Sequence, residues 1–138
     1  MKPQYALLLI LPALLTCCAR KPAPPQQNPN VGKVNHVVLV WLKTPGEINF
    51  MDQITLLSHS FAASIPGITR VEVGRSLPSD RPGVDGTFDL AIIMQFENES
   101  SLRAYETNSI HVHALVTLLK PASAKVVIYD SVVRDLIE

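Results

Sequence analysis

The chain has 138 residues, enough for one hydrophobic core of ordinary size and too few for two. Apolar residues make up 47% and charged residues 17%, with Lys+Arg 12 against Asp+Glu 12, which excludes a disordered chain and removes the electrostatic basis for binding nucleic acid. The two cysteines, Cys17 and Cys18, are adjacent near the N-terminus, so everything after them lacks a disulfide, a thiolate zinc site or a cysteine nucleophile.

In chain order, Lys2 precedes an apolar run from Ala6 to Leu15. That run is about half of the roughly 20 residues a membrane-crossing helix needs, so residues 1–17 read as a signal peptide. The sequence Leu15-Thr16-Cys17-Cys18-Ala19 resembles the lipobox at which bacterial prolipoproteins are lipidated and cleaved. Cys18 is the expected lipidated residue; Cys17, which would place Thr16 before the modified position, is the alternative. By the same resemblance, Ala19 after the cysteine implies sorting to the outer membrane rather than retention at the inner one, with the domain facing the periplasm. Residues 18–33 then carry several prolines and no hydrophobic periodicity, and read as a stiff tether reaching on the order of 45 Å at ~3.1 Å per residue. The balanced charge argues against a basic face for docking on the membrane, leaving the lipid as the only expected membrane contact.

Residues 34–138 read as one domain. Val34–Leu42 is β-branched and apolar on both faces, with His36, Val38, Val40 and Leu42 on one and Val37, Leu39 and Trp41 on the other. Thr44-Pro45-Gly46-Glu47 has the form of a capping box, with Thr44 as N-cap and Pro45 at the first helical position. The stripe Phe50, Ile54, Leu57, Phe61, Ile65 predicts an amphipathic helix that Pro66-Gly67 stops. Ile68–Arg75 predicts a half-buried strand near a sheet edge, with Thr69, Val71 and Val73 opposite Arg70 and Glu72. A Pro/Gly-rich loop at 76–86 leads to a third strand, Phe88–Phe96. Asn98 caps a short helix through Tyr105, on which Leu102 and Tyr105 share a face. Residues 109–119 are expected to be partly helical, before Pro121 and a fourth strand at Val126–Val133.

The order β-α-β-β-α-β is the split βαβ, or ferredoxin-like, arrangement: an α+β fold with a four-stranded antiparallel sheet and helices on one face. Two helices cover only that face, whereas the first and last strands are apolar on both. The exposed apolar face predicts a homodimer with sheets packed face to face.

The segments Val34-Asn35-His36-Val37-Val38-Leu39-Val40, Ile65-Pro66-Gly67-Ile68, Val71-Glu72-Val73-Gly74-Arg75, Phe88-Asp89-Leu90-Ala91, Leu102-Arg103-Ala104-Tyr105 and Val127-Ile128-Tyr129-Asp130 resemble, in order and spacing, the stress-responsive A/B barrel (Dabb) domain. The resemblance covers about a hundred residues, the whole chain after the tether. It implies a dimeric α+β barrel. Most members of that family have no settled activity, while some plant members are polyketide cyclases that use a histidine in an apolar cavity as general base. The family's histidine early in the first strand is matched by His36. Its tyrosine in the second helix, followed by His-Pro-X-His, is matched by Tyr105 and then Asn108-Ser109-Ile110-His111. His111 keeps the second histidine; Asn108 and Ser109 replace the first histidine and the proline, leaving the path into His111 less constrained.

His36, Tyr105 and His111 are thus the candidate catalytic residues: imidazoles that accept a proton near neutral pH and a phenol that orients one or binds a carbonyl oxygen. The competing reading is structural, with both histidines satisfying backbone groups and Tyr105 filling the core. His59 lies off the helical stripe and is expected in solvent. His111 and His113 would diverge by roughly 200° on a helix, so no metal is expected, and no cofactor motif is present. The preferred function is binding of a small apolar or aromatic molecule in a cavity between sheet and helices. A lyase, cyclase or monooxygenase using His36 and His111, and a structural stress-response assembly module, are the alternatives.

Overall fold

A computed structural model of the protein describes residues 28–135. The leader, both cysteines and most of the tether lie outside the described residues. Strand β1 (Val34–Leu42) is central, flanked by β3 (Leu90–Phe96) and β4 (Ser123–Val132), with β2 (Ile68–Arg75) beyond β3. All three pairings are antiparallel. Helix α1 (Ile48–Ser64) joins β1 to β2, and α2 (Glu99–Thr107) with α3 (Ser109–Ala114) joins β3 to β4. This is the expected four-stranded split βαβ. The alternation of β1 decides which face the helices cover: Val34, His36, Val38, Val40 and Leu42 are all buried, and Asn35, Val37, Leu39 and Trp41 are only half-buried. Against that covered face pack Phe50, Ile54 and Phe61 of α1, and Leu102 and Tyr105 of α2. Each such side chain fully removed from water contributes about 1.5–3 kcal/mol. The opposite face keeps Ile93 at 36% and Tyr129 at 61% exposure, among Val37, Leu39 and Val127.

Four local expectations are corrected. Helix α1 begins at Ile48, with Glu47 as an N-cap that makes no side-chain capping bond, so the capping box at Thr44 does not form. Gly46 has φ 73°, a left-handed conformation that no helical residue takes, and the turn is held instead by Asp89. Its carboxylate accepts the backbone N–H of Leu42 at 2.8 Å and of Gly46 at 3.0 Å. The Asp89 backbone N–H still donates to the Val40 carbonyl at 2.9 Å, but β3 starts two residues later than expected, at Leu90 rather than Phe88. In β2, Ile68 pairs with Phe96 and Arg70 with Gln95, so Thr69 is the extra residue of a bulge, exposed rather than aligned with Val71 and Val73. At the other end of the chain the last tether residues are not extended. Residues 28–33 form hydrogen-bonded turns, and Gly32 and Lys33 exchange backbone bonds with Val133 at 2.9 and 2.8 Å.

Candidate active site

His36 is placed by the ladder. Its Cα partner across β1 and β4 is Asp130, and residues paired in this way point to the same face of the sheet. The His36 side chain is nearly buried, at 7% exposure, and its Nδ1–H donates to Asp130 Oδ1 at 2.6 Å. A carboxylate accepts only, which puts the proton of the neutral ring on Nδ1 and the lone pair on Nε2. Among the described residues no buried side-chain nitrogen or oxygen is without a partner, so Nε2, which makes no hydrogen bond, is reached from open space. That space is a cavity of about 280 Å³ between sheet and helices, and His36 is on its wall.

Tyr105 arrives from the last turn of α2. Asn98 starts that helix as expected, its side chain accepting the Ser101 N–H at 3.0 Å. Asn108, whose ψ of 131° no helix allows, ends it. The same Asn108 caps the next helix by accepting the Ile110 N–H at 2.9 Å. His111 therefore sits in the first turn of α3, its position fixed by Asn108 in place of the histidine and proline of the family pattern. The His111 ring stacks on Tyr105 with centroids 4.1 Å apart and planes at 30°, and Tyr105 meets His36 edge-on at 5.9 Å. The two imidazoles are separated by no more than the sum of those distances, and all three residues line the same cavity.

The remaining wall is apolar, including Val38, Phe61, Met94 and Leu119, with Ser58 and Glu106 as further polar members. Among the described residues, no lysine or arginine lines it. Burial pushes the Tyr105 phenol above its usual range, so it stays a protonated donor. Burial likewise holds His111 below the usual histidine range, partly countered by the Glu106 carbonyl, to which Nδ1 points at a long 3.4 Å. His36 thus does not satisfy a backbone group, as the structural reading had it, whereas His111 comes near to doing so. His59 and His113 are exposed and outside the cavity. Among the described residues no cluster of three His, Cys, Asp or Glu side chains could hold a metal.

Two members of the site were missed from sequence. Asp130 follows Val126 and Ile128 on the covered face, so a carboxylate ending an inward-facing alternation was the available signal. Ser58 takes a position of the α1 stripe, four residues after Ile54, and is buried; a small residue there leaves the volume that a leucine would fill.

A split-βαβ sheet whose covered face encloses a cavity with a carboxylate-paired histidine defines the structural class. The chain belongs to the Stress responsive A/B Barrel Domain family, Dabb, whose family model matches residues 34–133. No curated protein matches the chain. Among solved structures, it is similar to a dimeric protein of unknown function with a ferredoxin-like fold from Bacteroides fragilis, at 26% identity and TM-score 0.61, covering 74% of this chain and 97% of the other. A Dabb family protein with a ferredoxin-like fold from Mesorhizobium loti is 20% identical, with TM-score 0.61 and coverage of 75% and 99%. Hydroxynitrile lyase from Passiflora edulis is 16% identical, with TM-score 0.67 and coverage of 80% and 100%, a likeness of fold.

Proposed function

We propose that the cavity binds a small, uncharged, largely apolar molecule and removes a proton from it beside a carbonyl group, with His36 as the base. The observation that carries this reading is the 2.6 Å bond from His36 Nδ1 to Asp130, which leaves Nε2 as a lone pair facing an apolar cavity. Nε2 takes the proton, the C–H electron pair moves into an enolate, and the protonated Tyr105 hydroxyl is the donor available to its oxygen. Among the described residues no lysine or arginine lines the wall, which disfavours anions, since they would enter without a cationic partner. Binding without turnover is the second reading, favoured by the approach of His111 to the Glu106 carbonyl. A purely structural module gives no reason for a cavity lined by two imidazoles and a phenol. The test is a paired titration with 2-naphthol and 2-naphthoate: the neutral ring system should bind and perturb the His36 and His111 resonances, and the anion should not. Equal binding of both, or of neither, contradicts the proposal.

The domain is further proposed to act as a homodimer through its uncovered sheet face, as the dimeric relatives suggest, and to be held at the outer membrane by a lipid on Cys18, or on Cys17. Mass spectrometry of the detergent-extracted N-terminal peptide decides the anchor; an unmodified peptide beginning at Ala19 or later would remove it.

A further inference from the structure

We propose that the His36 ring and Asp130 form a proton outlet, so that a proton taken up inside the cavity is delivered to water outside it while the cavity is occupied. The inference rests on the reading of the cavity as a proton-transfer site. His36 is a wall residue and Asp130 is not, although Ile128, two residues earlier on the same face of β4, is. The ring therefore separates the cavity from the carboxylate. The two sides differ in exposure, since the His36 side chain is 7% exposed and that of Asp130 43%. Asp130 stands on β4, an edge strand of the sheet among the described residues.

The balance of the step is simple. A proton bonded to Nε2 makes the ring an imidazolium, and the electron pair of the broken C–H bond stays with the bound molecule. The Nδ1 proton then moves along the 2.6 Å bond to Asp130 and from there to water. A neutral ring protonated on Nε2 remains. When Nε2 returns its proton to the product, water supplies another to Nδ1 through Asp130, restoring the first tautomer. A positioning role alone would need only an acceptor at Oδ1; an outlet needs an acceptor that can itself be protonated and can meet solvent.

The full chain labelled with ¹⁵N-histidine separates these roles, because the exchange of the His36 Nδ1 proton with water can be followed directly. An asparagine oxygen accepts the same bond but carries no proton. Asp130→Asn should therefore keep the Nδ1–H tautomer and slow exchange about a hundredfold, and Asp130→Glu should restore it. In Asp130→Ala, formate in solution should restore exchange and formamide should not. Exchange in the unmodified protein should persist when 2-naphthol fills the cavity. Exchange that is unchanged in Asp130→Asn, rescued equally by formamide, or stopped by 2-naphthol would overturn the outlet. Should 2-naphthol fail to bind, the cavity reading falls, while the comparison of variants in the unliganded protein still decides the outlet.

Discussion

The two histidines of the cavity are held in different ways, and the difference assigns their roles. His36 is tied through one nitrogen to a carboxylate, whereas His111 is stacked on Tyr105 and held by burial below the usual histidine range. A histidine with a lowered folded pKa binds fewer protons folded than unfolded between that value and the unfolded value near 6.5. Stability from His111 is thus fully present above about pH 6.5 and is lost as pH falls through the depressed folded value. His111→Gln should flatten this part of the stability profile, as read from denaturant midpoints at successive pH values. An unaltered slope would show that burial of His111 is energetically silent. Asp130 ends the inward-facing alternation of β4, but its partner lies 94 positions away, and only the register of β1 with β4 brings the two together.

Among the elements, strands and helices were legible where a single periodicity decided them. The two-faced β1, the α1 stripe and the Asn98 cap formed as the residues dictate. The boundaries that failed depend on backbone conformation and distant partners. Thr44-Pro45-Gly46-Glu47 has capping-box side chains, yet Gly46 at φ 73° and the Asp89 carboxylate make it a turn. The sequence predicts only partial helix over residues 109–119; α3 passes into a π-helical segment, Leu115–Leu119, where the Lys120 N–H reaches back to the Leu115 carbonyl. Pro121 follows and has no N–H to continue a regular ladder. Leu115 and Leu119 of this segment line the cavity, so the irregularity belongs to the site wall. The turn after α1 carries its own test. Gly67 has φ 87°, and a Cβ there would stand 2.6 Å from the Cβ and Oγ of Ser101. Gly67→Ala should cost about 1–3 kcal/mol, read from chemical denaturation, and adding Ser101→Gly should recover the contact part but not the backbone part. A neutral Gly67→Ala would contradict this packing.

For the whole molecule, the sheet has one face covered by helices and one left uncovered. Val40, wholly buried, belongs to the covered face, and Leu39 to the other. The chain should therefore be a dimer in solution, and Leu39→Asp should dissociate it by placing an unpaired charge in the interface, at a cost of about 3–5 kcal/mol. Light scattering with circular dichroism distinguishes dissociation from unfolding. A folded monomer of the unaltered chain would show that the uncovered face is not an interface.

The central claim is that His36 removes a proton from a molecule in the cavity, and deuterium wash-in tests it without knowledge of the natural substrate. The uncharged bicyclic ketone 2-tetralone in D₂O, followed by proton NMR, should exchange its protons beside the carbonyl faster with the protein than without it. His36→Gln should reduce that acceleration about a hundredfold while leaving the melting temperature nearly unchanged. No acceleration by the unaltered protein, or an equal acceleration by His36→Gln with its fold intact, would contradict the assignment of His36 as the base.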